Sequence, residues 1–158
     1  MSSRGGAVPH YLEEFRPEDR LLLGAGPSNV NPRVLRAMAA PILGHLDPDF
    51  IGVMNDVKEM LRLVFQTENN ITIPISGTGS AGMEAALVNV LEPGDTIVVA
   101  DSGYFGDRLA QIAERCGAKL CRVNGEWGQP VSPEAVEAEV AKHDKVKAVA
   151  IVYAETST

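Results

Sequence analysis

Positive charge is scarce in this chain. It carries 14 Lys and Arg against 21 Asp and Glu, a net charge of −7. A surface of that sign repels phosphate backbones and anionic lipids, which excludes general nucleic-acid binding and adsorption to membranes. Cysteine is nearly missing as well. Cys116 and Cys121 lie close together and in no metal-ligand spacing, so they read as buried free thiols in a reducing compartment, with no disulfide framework and no metal site. No apolar run is long enough to span a bilayer. The opening residues MSSRGGAVPHYLEEF lack the apolar segment of a secretory signal. A cytoplasmic location is the default expectation, with an organelle address in a further C-terminal segment left open.

What the chain does have is 158 residues of ordinary apolar content, enough for one domain with a real core. Its most informative stretch is Ile71–Leu91, ITIPISGTGSAGMEAALVNVL. The β-branched residues Ile71, Thr72, Ile73 and Ile75 predict a buried strand. Ser76-Gly77-Thr78-Gly79-Ser80 predicts a turn, and Met83, Ala86, Leu87 and Val90 recur at helical spacing. A strand, a glycine-rich turn and a helix build an anion site. The first helical N–H groups have no internal partner, and the helix dipole favours negative charge there. Thr78 and Ser80 add hydroxyl donors, so a phosphate is expected at this turn.

The rest of the chain supplies the frame. Residues 1–20 mix Gly, Pro and charge and read as an arm, and residues 21–158 as one domain. The loop Gly24-Ala25-Gly26-Pro27 makes a tight turn or lets a ligand approach the backbone. Asn31-Pro32 predicts a helix start by cap and N1 proline. From Asp49 onward, Phe50, Val53, Met54, Val57, Met60, Leu61 and Val64 form one apolar stripe, read as core packing. His45, in the connection before that helix, reads as a solvated loop histidine. Strands are expected at Thr96–Ala100, Lys119–Val123 and Val146–Tyr153. Helices are expected at Arg108–Cys116 and after the Ser132-Pro133 cap. Alternating β and α units mean a mostly parallel sheet with helices on both faces, a three-layer αβα architecture. The sequence ends at Thr158 directly after the last strand, so the domain reads as truncated.

Two owners of the phosphate fit the residues. Gly77, Gly79 and Gly82 spell G-x-G-x-x-G, and Asp101 near the end of the next strand stands where a ribose-binding acid would. That is the pattern of an NAD-type dinucleotide site, although Pro74 inside its first strand would remove a ladder donor. The other owner is a smaller phosphorylated cofactor such as pyridoxal phosphate. One helix N-terminus with Thr78 and Ser80 would hold its phosphate. Tyr104 or Phe105 could cover a flat ring, and Thr156 could reach a ring oxygen. All three segments follow strand ends that open on one side of a parallel sheet.

The segments LLLGAGPSNVNPRVL, GHLDPDF, ISGTGSAGMEAALVNVLEPGD, GYFGDR and ETST, taken as an ordered set, resemble the class V aminotransferases. The nearest branch is the alanine–glyoxylate and serine–glyoxylate (serine–pyruvate) aminotransferases. The resemblance runs from about Leu21 to the last residue. It implies part of the large domain of a fold-type I pyridoxal-phosphate enzyme, acting on an amino acid and an oxo-acid and assembled as a homodimer. By position, it implies that Thr78, Gly79 and Ser80 form the phosphate cup. Phe105 would stack on the cofactor ring, and Thr156 would bond near its 3-oxygen. Gly24, Ala25 and Gly26 would line the substrate side, with Ala25 where the family usually has proline. The family's Schiff-base lysine, the aspartate of the ring nitrogen and the substrate arginine all belong beyond Thr158. No catalytic residue is therefore expected in this chain, and the chain alone is expected to be inactive. A lyase or desulfurase using the same cofactor stays open, because these residues hold the cofactor and do not select the reaction.

Overall fold

The computed structural model describes Tyr11 and residues 14–158. Most of the expected arm, residues 1–20, lies outside the described residues. The chain divides into two compact units, Met1–Ile42 and Leu43–Thr158.

The first unit contains helix α1 (Pro32–Met38). Asn31 caps it, accepting from Arg33 N at 2.9 Å, and Pro32 fills the first helical position. The preceding loop is stapled by Asn29, whose side chain accepts from Leu22 N at 2.7 Å and donates to Arg20 O at 2.8 Å. Gly24, Ala25 and Gly26 lie inside that staple.

The second unit opens with α2 (Pro48–Phe65), capped by Asp47 and begun by Pro48 in the same manner. It ends at Gln66, whose φ of 50° is left-handed. Arg62 then donates to the carbonyls of Asn69 and Asn70, tying the following chain to the last turn. The apolar stripe of α2 is not the buried core face its pattern predicts. Phe50, Met54, Val57 and Leu61 are half-buried, and Val53, Met60 and Val64 are exposed. No element among the described residues closes over that face.

The strand expected at 71–75 does not form. Those residues are irregular, and Ile71 and Ile75 are mostly exposed. A strand needs a ladder partner, and the three described strands pair only with one another. Pro74 also lacks the N–H that a central strand must donate.

Six elements follow. They are α3 (Gly79–Val88), β1 (Thr96–Asp101), α4 (Tyr104–Arg115), β2 (Lys119–Asn124), α5 (Pro133–Val140) and β3 (Ala148–Ile151). The strands form one parallel sheet in the order β2-β1-β3, with Val98 opposite Cys121 on one side and Val149 on the other. The connections β1–α4–β2 and β2–α5–β3 run in opposite directions along the sheet. Right-handed crossovers therefore place α4 and α5 on opposite faces. This gives three layers, as alternating β and α units predict.

Central β1 is buried on both faces, which accounts for its unbroken apolar run. Ile97 and Val99 pack with Leu87 and Leu91 of the α3 segment and with Leu109, Ala110, Ile112 and Ala113 of α4. Val98 and Ala100 point to the α5 face. By contrast β3 alternates, with Val149 and Ile151 exposed, so it is not the buried strand expected there. Cys116 and Cys121 are free but only half-buried. His45 is exposed, as a loop histidine should be.

Candidate active site

The C-terminal edge of the sheet receives two helix N-termini, and they are treated differently. Helix α3 starts at the glycine-rich turn. Thr78 is its cap, and its Oγ1 accepts from Ala81 N at 3.2 Å. That bond uses one lone pair and leaves the hydroxyl proton to donate. The N–H groups of Gly79 and Ser80 precede the first helical bond and are open to a ligand. Ser80 is set from outside: Arg108 of α4 donates from Nη1 to Ser80 Oγ at 2.8 Å. With its oxygen taken as an acceptor, the Ser80 hydroxyl is left to donate. The guanidinium also lies 5.0 Å from the centroid of the Tyr104 ring and bonds its hydroxyl.

Helix α4 has its N-terminus filled by the chain itself. Its cap residue, Gly103, has no side chain to offer. Glu155, arriving after β3, takes that role. Its carboxylate accepts from Phe105 N at 3.1 Å and from Gly106 N at 3.0 Å. Ser157 Oγ accepts from Tyr104 N at 2.9 Å and donates to Glu155 at 2.6 Å. Partial burial alone would raise the Glu155 pKa. The Ser157 hydroxyl and the N–H groups of Gly106, Phe105 and Ser157 outweigh it and hold the carboxyl below its usual range. Gly103 is required by this fit, since a Cβ there would stand 2.5 Å from Glu155 Cγ.

Between these two helix starts lies a cavity of about 400 Å³. Thr78, Gly79, Ser80, Phe105 and Thr156 all line it, and Met83, Val152 and Ala154 complete its apolar wall. Five residues chosen from three separated segments thus meet at one place. Phe105 is held twice, through its N–H by Glu155 and by an edge-on contact of its ring with Tyr104 at 5.3 Å. Gly24, Ala25 and Gly26 belong to the first unit and are not among the lining residues.

Asp101 is employed elsewhere. It is buried, accepts from Gly103 N at 3.3 Å, and pairs with Arg122 at 3.3 Å. Arg122 also bonds Asp107 at 2.6 Å. The hydrogen bond from Arg122 holds the Asp107 carboxyl below its usual range, and the same bond raises the Arg122 pKa. This cluster locks β1 and β2 to the first turn of α4. The fingerprint glycines fare no better as dinucleotide signals. Gly79 and Gly82 have open space where a Cβ would go, so neither is required by close packing. With no strand before the turn and no available acid after it, the dinucleotide geometry is not built.

The family model for aminotransferase class-V matches residues 20–158. The chain belongs to the class V aminotransferases. Among curated relatives, the (S)-ureidoglycine–glyoxylate transaminase of Bacillus subtilis is 47% identical over 139 residues. The alanine–glyoxylate aminotransferase of Rattus norvegicus is 41% identical over 139 residues. Each match covers 88% of this chain and 33% of the relative, so the chain spans about a third of their length. Among solved structures, an alanine–glyoxylate aminotransferase from Nostoc sp. superposes with a TM-score of 0.83 at 44% identity, covering 91% of this chain and 38% of that one.

Class V aminotransferases are pyridoxal-phosphate enzymes, and the cavity suits that cofactor. An open helix start with two hydroxyls suits one phosphate. An aromatic side chain and an apolar wall suit a flat ring. The sequence pattern does not single out Arg108 and Glu155, although both lie inside the segments GYFGDR and ETST. Among the described residues, no helix is long and apolar enough to cross a membrane.

Proposed function

We propose that this chain forms the cofactor-phosphate portion of a pyridoxal-phosphate aminotransferase that passes an amino group between an amino acid and glyoxylate. The convergence of Thr78, Gly79, Ser80, Phe105 and Thr156 on one cavity carries this reading. Bound pyridoxal phosphate would supply the electron sink of the reaction. The chain's own residues bind and orient it. The N–H groups of Gly79 and Ser80 and the hydroxyls of Thr78 and Ser80 hold the phosphate. Arg108 keeps Ser80 in its donating rotamer and adds positive charge beside the cup. Phe105 covers one ring face, Thr156 donates toward a ring oxygen, and Met83, Val152 and Ala154 exclude water.

The donor is an amino acid such as alanine or serine, and relatives bearing alanine–glyoxylate and ureidoglycine–glyoxylate names support glyoxylate as acceptor. A lyase or desulfurase would use the same cup, and these residues alone do not separate it from a transaminase. The whole enzyme acts as a homodimer in this reading, with loop 24–26 on the substrate side. The 158-residue chain binds the cofactor without turnover, since no lysine here occupies a cofactor-linking motif.

Titrating the chain with pyridoxal phosphate and, separately, with NAD tests this. The expected result is saturable quenching of protein fluorescence by pyridoxal phosphate, weakened in Thr78→Ala and Ser80→Ala, with no adduct trapped by borohydride at a unique lysine. Saturable NAD binding that depends on Asp101 would overturn it.

A further inference from the structure

On the α5 face of the sheet, three metal-ligating side chains meet outside the cofactor cavity. Cys121 lies on β2, Glu139 near the end of α5, and His143 in the turn that follows. Cys121 Sγ is 3.2 Å from His143 Nε2, and the same Nε2 is 3.3 Å from Glu139 Oε1. One ligand atom from each residue lies within 4.8 Å of the others, and all three residues are half-buried. Lys142 Nζ donates to the other carboxylate oxygen, Glu139 Oε2, at 2.7 Å.

The use of one ring nitrogen separates two kinds of site. In a nucleophile relay the acid holds the far nitrogen of the imidazole, so that the near one can take the thiol proton. Here thiol and carboxylate both crowd Nε2. A single proton on Nε2 can serve the sulfur or the oxygen, not both. A cation at their centre serves all three.

We propose that Cys121, Glu139 and His143 bind one zinc-type divalent transition-metal ion. Tetrahedral zinc, at about 2.3 Å from sulfur and about 2.0–2.1 Å from nitrogen or oxygen, sets S and N about 3.6 Å apart and N and O about 3.4 Å apart. The two contacts in the structure, 3.2 and 3.3 Å, already approach that spacing. A thiolate and a carboxylate balance the charge of the ion, and a neutral imidazole completes three ligands, leaving the fourth position to water. Lys142 occupies Oε2, presenting Oε1 inward as an outer-shell partner does. The ion would clip the end of α5 to β2.

The test uses the tag-free 158-residue chain, stripped with chelator and titrated with Co²⁺ as a spectroscopic stand-in for Zn²⁺. A single equivalent should produce thiolate-to-cobalt charge-transfer absorption with tetrahedral d–d bands, and Zn²⁺ should bleach both. Cys121→Ser and His143→Gln should lose the charge-transfer band or the tetrahedral pattern while far-ultraviolet circular dichroism stays native. Cys116→Ser should keep both. Lys142→Met should weaken binding about tenfold. Zn²⁺ should raise the melting temperature of the parent chain and not of the two ligand variants. A parent chain with no charge-transfer band, or a band that survives Cys121→Ser or vanishes in Cys116→Ser, overturns the proposal.

Discussion

Replacing Glu155 by glutamine tests how the α4 start is built. The carboxylate receives Phe105 N, Gly106 N, Ser157 N and the Ser157 hydroxyl. Glutamine keeps the size but loses the charge, and it turns one acceptor into a donor facing N–H groups. Losing a partly buried anion at a helix N-terminus costs about 1 kcal/mol, and the mispaired acceptor about 1 kcal/mol more. For a domain of this size the sum of about 2 kcal/mol lowers the melting temperature by about 4–8 °C. The pH dependence gives a sharper readout. The folded pKa of Glu155 lies below its unfolded value, so its contribution is fully present above the unfolded value of about 4.3 and fades as pH falls through the folded one. The gap between parent and Glu155→Gln should therefore be widest at neutral pH and close as pH falls through the folded pKa of Glu155. Asp107, Glu134 and Glu139 also have lowered pKa values, but they titrate in both proteins and cancel in the difference. Thermal melts by circular dichroism at stepped pH measure the gap. Equal melting temperatures at neutral pH, or a gap that stays constant into acid, would refute the role given to Glu155.

Two further variants address the neighbours of that cap. Arg108→Met removes the donor to Ser80 and a positive charge beside the cup, and should weaken pyridoxal phosphate about tenfold, about 1.4 kcal/mol, by fluorescence titration. A dissociation constant within twofold of the parent's would remove Arg108 from the site. Gly103→Ala places a methyl group 2.5 Å from Glu155 Cγ and must push the 154–158 segment away, so it should destabilise at least as much as Glu155→Gln. In the double variant Gly103→Ala/Glu155→Gln the two losses should be less than additive, because both release the same segment; full additivity would mean that the contact is not shared.

The sequence shows some of these features and hides others for physical reasons. The starts of α1 and α5 are readable because Asn31-Pro32 and Ser132-Pro133 each put the capping oxygen and the helix-compatible proline in adjacent residues, whereas α2, read from Asp49 by its apolar stripe, begins one residue earlier on the same kind of signal, Asp47-Pro48. The pattern placed the start of α4 at Arg108, four residues late. Its cap comes from Glu155 and Ser157, 50 residues further on, and no local signal points to them. Apolar periodicity identified the α2 stripe and the 71–75 run as faces to be covered. Periodicity cannot name the cover, and among the described residues neither face has one. Phe105 and Thr156 are readable as neighbours because a parallel sheet opens the ends of β1 and β3 to one side; Thr78 joins them at the start of α3 although no strand precedes it. Arg108 is hidden for the opposite reason. Its reach to Ser80 depends on how α3 packs against α4, and that packing is tertiary.

Two helices begin beside the same cavity, each with N–H groups that favour an anion, and the chain answers that need in two ways. At α4 it supplies the anion itself: Glu155 occupies the position, Gly103 is kept free of a Cβ to admit it, and Ser157 braces it. At α3 it supplies only a cap hydroxyl and a second hydroxyl oriented by Arg108, leaving Gly79 and Ser80 N–H groups facing the cavity. A bound phosphate would be repelled by Glu155 at the first and attracted by the dipole and guanidinium at the second. Glu155 therefore does more than cap. It fills the α4 start with the chain's own anion and fixes Phe105, one residue into α4, in the cavity wall; in the proposed site this would leave the α3 start to the phosphate and set the ring against Phe105.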